Sequence, residues 1–397
     1  MGIDPGSMMT NPVYVHADNM ITSLGFTTRE IIGNIESNRI GFRMVSDRNL
    51  TPSPVPLSLI DTATLDEKFG QILANRHPEQ SAALFTRLEK MFIVSIQETV
   101  QPTEIDITGS RTLLIISTTK GNIDLLDTGK YDFPDPDRIF LWKMADFIGS
   151  FFGFVNRPMV ISNACISGVL ALSMAARMIE AGLYDNILVS GGDILSEFVI
   201  SGFLSFQALS PEPCKPFDIA HNGLSLGEGC GTLLLSSQKP ASTIISVAGS
   251  ATSNDANHIS GPSRTGEELA MAIGKALKEA HLGAAETSFV SAHGTGTVYN
   301  DEMESKALGL AGLQDVPVNS FKGYWGHTLG AAGMLESITT LHSMRENRVF
   351  RSAGYEEPGL PVPLNILKDH QSIPVINTVK IASGFGGCNA AVVFKKM

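Results

Sequence analysis

The chain has 397 residues, of which 43% are hydrophobic and 17% are charged, and its formal net charge is −11. This length supports a large core and either two domains or one duplicated domain. The low charged fraction fits a large buried interior and a buried subunit interface. The negative charge argues against non-specific nucleic-acid binding, and it gives no global attraction to an acidic partner.

The four cysteines, at positions 165, 214, 230 and 388, form no CxxC pair, so the sequence predicts neither a metal site nor a disulfide framework. No apolar run has the length of a membrane span, and no basic, apolar, cleavable leader is evident. We therefore expect a cytoplasmic protein. Residues 1–8, MGIDPGSM, resemble a remnant of cloning and are excluded from the fold argument.

Short β-rich runs alternate with helical stretches along the chain, which is typical of an α/β fold. Two longer connections, 119–140 and 213–225, are loop-like, and long loops in compact enzymes often build functional sites. The predicted strands lie at 111–117, 186–193, 232–237, 243–251, 288–296 and 390–396.

A faint internal repeat suggests duplication. A glycine-rich turn followed by a strand occurs at 227–237 and again at 384–396. A strand, a polar turn and a helix of small residues precede it in each half, at 160–176 and at 318–340. We predict two similar halves, residues 9–240 and 241–397, with a chance similarity as the open alternative.

Cys165 stands at the junction of a predicted strand, RPMVIS, and a predicted helix, SGVLALSMAARMIEAGL, for which Gly182 is placed as the C-terminal cap. At a helix N-terminus the unpaired N–H groups and the helix dipole favour a thiolate, which is the nucleophilic form. A small buried hydrophobic role is the alternative, because many intracellular cysteines are of that kind.

His293 follows an apolar strand and precedes Gly-Thr-Gly-Thr, and His327 opens a helix rich in glycine and alanine. Either could be a hydrogen-bonded structural histidine. The neighbouring glycines, at 294, 296, 326 and 330, indicate tight turns or close backbone approach, and a helix N-terminus keeps an imidazole neutral. Neither GTGT nor the other glycine runs have the context of a phosphate or dinucleotide loop.

A cysteine hydrolase would need one histidine, an orienting Asn or Asp, and water. Two histidines suit another task, which is to hold one carbonyl oxygen while an enolate forms and the cysteine carries an acyl group. Six segments bear on this choice: NACISG, KPFDIAHNGLSLGEGCG, SNDANHISGP, SAHGTGTVYNDEMES, NSFKGYWGHTLGAAG and GFGGCNAAVVF.

In order and spacing these segments resemble the β-ketoacyl-acyl-carrier-protein synthases, the decarboxylating condensing class of the thiolase superfamily, over residues 12–397. The resemblance implies a thiolase-like five-layered αβαβα fold built from two similar fused halves. It also implies a homodimer, with a heterodimer left open. No tightly bound cofactor is implied, because the phosphopantetheine arm of an acyl carrier protein carries the substrate.

The resemblance also assigns site residues. Cys165 falls on the nucleophile, and His293 and His327 fall on the two catalytic histidines. Lys322 is expected to pair with Glu304. The backbone N–H of Phe385 would complete an oxyanion hole with that of Cys165, and its ring would gate the site. Thr295, Thr297 and Ser260 are expected along the phosphopantetheine arm.

Departures from the family pattern predict a specialised ketosynthase, for a polyene, aryl polyene or polyketide-like chain, rather than standard fatty-acid elongation. Ser383 replaces a bulky aromatic beside the gate, Asn163 and Ile166 surround the nucleophile unusually, and His221-Asn222 stands where Arg-Asp is usual. The segment 140–158, expected to line the acyl tunnel, is also distinctive.

Docking of an acidic carrier protein needs local basic residues. The candidates are Lys215, which matches a docking arginine, and more weakly Arg87, Lys90 and Arg138, with ordinary exposed charges as the alternative. Competing functions are a thiolase acting on CoA esters, with Cys388 as its second cysteine, a catalytically silent partner resembling a chain-length factor, and a cysteine hydrolase.

Overall fold

The computed structural model describes residues 11–127, 133–257 and 261–397. The strands are β1 (Tyr14–Ile21), β2 (Arg43–Val45), β3 (Val55–Ser58), β4 (Thr112–Ser117), β5 (Met159–Ile161), β6 (Asn186–Asp193), β7 (Leu226–Gly227), β8 (Gly229–Ser236), β9 (Ile245–Asn254), β10 (Phe289–Ser291), β11 (Val318–Asn319), β12 (Arg348–Val349), β13 (Gln371–Ser372), β14 (Asn377–Gly384) and β15 (Cys388–Lys396). The helices are α1 (Thr28–Glu36), α2 (Thr62–Arg76), α3 (Arg87–Val100), α4 (Leu141–Phe152), α5 (Ser167–Glu180), α6 (Glu197–Ser205), α7 (Glu267–Glu279), α8 (Val298–Leu310), α9 (Lys322–Trp325) and α10 (Ala332–Glu346). The α/β class predicted from the sequence is confirmed.

The main sheet repeats one pattern from both of its edges. Its strand order is β11-β10-β14-β15-β9-β1-β8-β6-β4-β5. In each set of five, three neighbouring strands are parallel and the next two are antiparallel. The two sets meet through a single pairing of Tyr14 with Ser246. Each set comes from one side of residue 240, and the exact division of the chain there stays a prediction.

Helices cover both faces of these strands and form the layer between the two sets. On the outside, α3 packs on β1, β6 and β8, and α7 packs on β9 and β15. Between the sets, α5 and α10 contact each other and strands of both. A Cβ on Gly168 would lie 2.8 Å from the Met334 nitrogen, and one on Gly333 would lie 2.7 Å from the Val169 nitrogen. Glycine therefore allows the two central helices to touch near the ends that lead from Cys165 and His327.

The central helices explain two sequence patterns. Helix α10 is buried along nearly all of its length, which accounts for its small and apolar residues. Helix α5 ends at Glu180, and Gly182 follows in the left-handed region with φ +67°. The N–H of Leu183 donates to the Met178 carbonyl, which closes the helix as the sequence predicts. In the parts of the chain that the structure describes, every helix is too short or too polar to cross a membrane.

Candidate active site

The turn between β5 and α5 presents Cys165 in a strained, locally braced backbone. The N–H of Asn163 donates to Ser167 Oγ over 2.8 Å, and that hydroxyl donates to the Ala164 carbonyl over 2.7 Å. Ala164 has φ +43°, a left-handed conformation that costs a residue with a Cβ about 1–2 kcal/mol. The turn thus stores strain immediately before the cysteine, as at other functional turns.

Burial, rather than the helix N-terminus, dominates the state of the Cys165 thiol. Desolvation raises the pKa of Cys165 to about 12, while the nearby Lys322 ammonium and a hydrogen bond from the Phe385 backbone act in the opposite direction. Burial therefore opposes the thiolate that the helix N-terminus is expected to favour. The hydrogen bond from the Phe385 N–H to the Cys165 thiol agrees with the place expected for this N–H in an oxyanion hole.

The loop after β10 presents His293 and is held by acidic residues of α8. Glu304 accepts the backbone N–H groups of His293 and Gly294, both at 2.6 Å. Asp301 accepts those of Thr295 and Gly296, at 3.1 and 3.2 Å. The acidic run NDEMES, in the first part of α8, thus provides the acceptors for four backbone N–H groups of the His293 loop. Burial and the neighbouring Asp301 carboxylate raise the pKa of Glu304 to about 7.

His327 is held by a second loop, which is pinned by the first half of the chain. Its backbone N–H donates to the Ser225 carbonyl over 2.7 Å, and its carbonyl accepts from Gly227. Gly326, with φ +77°, has no room for a side chain, since a Cβ would lie 2.7 Å from the Leu226 carbonyl carbon. The N–H of Leu329 donates to His327 Nδ1 over 3.0 Å.

These contacts assign the proton of each imidazole. The Lys322 ammonium, 3.3 Å away, occupies Nδ1 of His293, and a backbone N–H occupies Nδ1 of His327. The single proton of each neutral ring is therefore on Nε2. Burial, then Lys322, lowers the pKa of both histidines well below 6.5, so both rings are neutral. Nε2 of His327 is buried and has no partner among the described residues.

Cys165 and both histidines converge on one point. Cys165 Sγ and one ring nitrogen from each of His293 and His327 all lie within 4.8 Å of one another. The two rings are nearly perpendicular, at 85°, with centroids 5.2 Å apart. Such a cluster can in principle bind a metal ion, but Nε2–H groups donate hydrogen bonds and do not ligate. The arrangement suits two donors that bind one oxygen anion beside a sulfur nucleophile.

Lys322 lies where the sequence places it, but its acidic partner differs. Its ammonium contacts Glu336 Oε1 at 2.6 Å and also donates to the His293 carbonyl. The expected ion pair with Glu304 is wrong, because both oxygens of Glu304 are taken by backbone N–H groups of the histidine loop. Glu336, on α10, takes that place from the opposite side of the site.

A cavity of about 490 Å³ opens above Cys165. Thr295, Thr297 and Ser383 line it, as the sequence predicts for substrate contacts. Thr295 and Thr297 share a hydroxyl hydrogen bond of 2.8 Å, and Ser383 donates to Asn389. Ser260 lies outside the described residues.

Aromatic rings stand at the cavity wall. The ring of Phe385 is 5.5 Å from that of Phe206 and 6.0 Å from that of Phe203, and all three line the cavity. By contrast, the described residues of 140–158 do not line it, because rings of α4 such as Phe147 and Phe151 pack against Phe85 in the outer core. The expectation that this segment lines an acyl tunnel stays a prediction.

Of the four residues proposed for docking, Lys215 has the most exposed side chain. Arg138 is 4% exposed, with its guanidinium 3.8 Å from the centre of the Phe147 ring and 3.3 Å from Glu89, so its assignment to a docking surface is wrong. Arg87 binds the buried Glu228, and Lys90 pairs with Asp66. Lys215 is one-third exposed, its ammonium pairs with Glu212, and its backbone borders the Gly296 loop.

Sequence reasoning missed several buried charges of the site, Asp301 among them. Glu336 and Lys380 lie behind the histidines, and Asp193 accepts the N–H of Gly330 and the hydroxyl of Thr118, both at 2.7 Å. Burial raises the pKa of Asp193 to about 6. The available signal was one charge in an otherwise apolar run, as in GMLESITT and TVKIAS.

Comparison with known proteins agrees with this geometry. The family model "Beta-ketoacyl synthase, N-terminal domain" matches residues 10–241, and "Beta-ketoacyl synthase, C-terminal domain" matches residues 244–356. Nodulation protein E of Rhizobium leguminosarum bv. trifolii is 32% identical over 263 residues, covering 64% of this chain and 65% of that protein. 3-oxoacyl-[acyl-carrier-protein] synthase 2 of Vibrio cholerae is 34% identical over 265 residues, covering 62% and 64%. The chain thus spans less than two thirds of these curated relatives.

A solved structure matches over the full length. A chain from the complex of the ketosynthase ApeO with its chain length factor ApeC, from Xenorhabdus doucetiae, superposes with a TM-score of 0.84 at 25% identity and covers 100% of both chains. The thiolase-like fold expected from the sequence is confirmed. The chain belongs to the beta-ketoacyl synthase family.

Proposed function

We propose that the protein is a β-ketoacyl-acyl-carrier-protein synthase that joins a malonyl unit to an acyl group carried on Cys165. The observation that carries the proposal is the convergence of Cys165 Sγ with His293 and His327 within 4.8 Å, at the base of a cavity. The two assigned Nε2–H donors are what an enolate requires, while a hydrolase would need one histidine with an orienting partner.

In the first step Cys165 Sγ attacks the carbonyl of an acyl thioester. A bond forms between sulfur and the acyl carbon, the bond to the carrier thiol breaks, and the carrier thiol leaves with the proton lost from Cys165. The N–H groups of Cys165 and Phe385 would bind the oxyanion, and one such donor is worth about 3 kcal/mol in the transition state. Because the resting thiol is protonated, this step includes loss of its proton.

In the second step a malonyl thioester loses carbon dioxide, and the electron pair of the broken bond remains in an enolate. Nε2–H groups of His293 and His327 would donate to the enolate oxygen. The enolate carbon then attacks the acyl group, and the bond to Cys165 sulfur breaks. The Cys165 thiolate takes up one proton from solvent water, and the β-ketoacyl product leaves on the carrier.

The carrier arm would enter past the aromatic wall. Thr295 and Thr297 offer hydroxyl groups along the cavity, and Phe385 is 39% exposed with its ring against Phe203 and Phe206. Rotation of this ring would change access to Cys165. We therefore assign to Phe385 both the backbone donor and the gate.

Intact-protein mass spectrometry after mixing with acyl-loaded carrier proteins tests the first step. We expect an acyl-sized mass increase that is lost in Cys165→Ala and kept in Cys230→Ala, a buried cysteine outside the cavity. Absence of an adduct with every donor would favour the silent chain-length-factor-like partner. Release of free acid would favour a hydrolase, and transfer to CoA in preference to carrier protein would favour a thiolase.

The thiolase alternative has less support. Cys388 does not line the cavity as the described residues define it, and its Sγ donates to the Phe385 carbonyl over 3.4 Å. A thiolase would use a second cysteine in place of one histidine, whereas here both histidines lie beside Cys165. The silent-partner alternative has to explain why Cys165 and both histidines lie within 4.8 Å of one another.

For the substrate we propose a specialised chain, polyene or polyketide-like, rather than a saturated fatty acid. Ser383 supports this, because a small polar side chain lines the cavity next to the gate where the family usually has a ring. The measurement is the loading rate for a panel of saturated, unsaturated and β-keto acyl carriers. A plain preference for long saturated chains would contradict it.

We further propose that acyl carrier protein docks beside Lys215. The side chain is one-third exposed and pairs with Glu212, and its backbone borders the loop that carries Thr295 and Thr297. Lys215→Glu should weaken carrier-protein binding several-fold, and Lys239→Glu, exposed in the connection after β8, serves as the control. Equal binding by the wild type and Lys215→Glu would remove this assignment.

Dimerisation, with a second copy or a related subunit, is also proposed. Strand β5 is the last strand of its set, and exposed apolar residues lie near it, namely Phe140, Trp142 and Val155. Light scattering of the purified chain decides between a homodimer and a monomer that needs a different partner.

A further inference from the structure

A second buried lysine, Lys380, lies behind the histidines. It is on β14, its side chain is fully buried, and its ammonium contacts three oxygen atoms among the described residues. These are Glu336 Oε2, the Ala292 carbonyl at 2.9 Å and the Ser291 carbonyl at 3.3 Å. Burying a lysine is costly unless its charge is paired, and here Glu336 supplies the anion.

Lys380 and Lys322 together enclose one carboxylate. Lys322 contacts Oε1 of Glu336, and Lys380 contacts Oε2. Lys322 also binds the carbonyl of His293. The two ammonium groups therefore bind three successive carbonyl groups, 291 to 293, at the end of the strand that delivers His293.

We propose that Lys380 is a positioning residue of this site: with Lys322 and Glu336 it fixes the backbone before His293, so that the imidazole presents Nε2–H to the cavity. The inference rests on the proposed condensing function and deepens it. In this cluster one buried carboxylate lies between two buried ammonium groups.

Several charged and titratable groups surround the two imidazoles. Positive charge comes from Lys322 on α9 and Lys380 on β14. The acidic and thiol groups around the rings are Glu336 on α10, Glu304 and Asp301 on α8, Asp193 on β6, and Cys165 and Cys388. Desolvation is the largest cause of the low histidine pKa, followed by Lys322, and Lys380 contributes in the same direction at both rings.

Neutral replacements of Lys380 test the proposal. Lys380→Met keeps the length of the side chain, and Lys380→Gln keeps a hydrogen-bond donor, but both remove the charge. Lys395→Met, on the paired strand β15 and partly exposed, is the matched control. The readouts are the ring titrations of ¹⁵N-labelled His293 and His327 by NMR and the pH profile of malonyl-carrier decarboxylation.

We expect both ring titrations, and the acidic limb of the pH profile, to move upward by about one pH unit in Lys380→Met and Lys380→Gln, because a buried cation near the imidazoles is lost. Lys395→Met should match the wild type. Identical titrations in wild type and folded Lys380 variants would overturn the proposal. So would failure of both variants to fold, since Lys380 would then be a structural residue.

The two proposals fail separately. If the wild type does not decarboxylate malonyl carrier protein, the proposed function fails, while the NMR titration still decides the effect of Lys380 on the rings. If decarboxylation occurs with an unchanged acidic limb in the variants, the condensing function stands and Lys380 has no part in it.

Discussion

The two sides of the active site are built by opposite means. On the cysteine side, a strained turn with Ala164 at φ +43° delivers Cys165 into a mainly apolar wall. On the histidine side, buried charges hold the loops, through Glu304 at the backbone of His293 and through Glu336 between two lysines.

This difference indicates how each side controls reactivity. Burial raises the pKa of the Cys165 thiol, so its reactivity should depend on access and backbone geometry. The imidazoles are kept neutral and oriented by burial and fixed charges, so their chemistry depends on ionic partners. Substitutions should therefore affect the two sides by different amounts and through different measurements.

The largest effect is expected from Glu336→Gln, which leaves two buried ammonium groups without their anion. Removing one partner of a buried ion pair costs about 3–5 kcal/mol of the free energy of unfolding. Urea denaturation measures this loss. Glu346→Gln, exposed on the same helix, should change the free energy of unfolding by less than about 0.5 kcal/mol. A loss below about 1 kcal/mol for Glu336→Gln would show that the lysines do not need the carboxylate.

The next effect concerns Cys165 and pH. With a pKa raised to about 12, the thiolate fraction increases tenfold per pH unit, so the rate of alkylation by iodoacetamide should rise roughly 100-fold between pH 7 and pH 9 without a plateau. Mass spectrometry of the Cys165 peptide measures the rate, with Cys165→Ala as the blank. A plateau below pH 8 would mean that the helix end and Lys322 outweigh burial after all.

A smaller effect is expected from Gly294→Ala on the histidine side. Gly294 has φ +42°, and a Cβ there would lie 2.5 Å from Ser320 Cβ and 2.8 Å from the Phe217 ring. Overpacking and the left-handed backbone together should lower the free energy of unfolding by about 2–4 kcal/mol and displace His293. Gly70→Ala, in helix α2 with open space around it, should instead stabilise the protein by about 0.5–1 kcal/mol. Equal effects in thermal unfolding would contradict the proposed crowding of the loop.

The smallest effect is expected from Ala164→Gly on the cysteine side. Glycine relieves the left-handed strain, so the free energy of unfolding should stay constant or rise by up to about 1 kcal/mol. Ala175→Gly, buried within α5, should lose about 1 kcal/mol or more. Urea denaturation of both variants distinguishes these outcomes, and a comparable loss at both positions would mean that the turn is unstrained.

Short-range patterns were sufficient for much of the protein. The alternation of strands and helices indicated the α/β fold, and Gly182 correctly marked the end of α5, because helix capping depends on neighbouring residues. The segments around Cys165, His293 and His327 likewise indicated the site, since each combines a reactive side chain with its own turn.

Contacts between distant elements were beyond the sequence. Arg138 lies in a Pro/Asp-rich segment, so the sequence predicted a surface charge. In the structure the rings of Phe133 and Phe147 and the Glu89 carboxylate surround it. The sequence predicted Glu304 as the partner of Lys322, but Glu336 pairs with it instead. The Glu304 carboxylate on α8 accepts backbone N–H groups of the histidine loop.

The sequence by itself indicated the family and the candidate residues Cys165, His293 and His327, because their side chains and turns are encoded by adjacent residues. Only the tertiary structure decided which charge pairs with which and how deeply the thiol is buried. Both depend on burial and on residues brought together from β10, β14, α9 and α10, which no local pattern in the chain specifies.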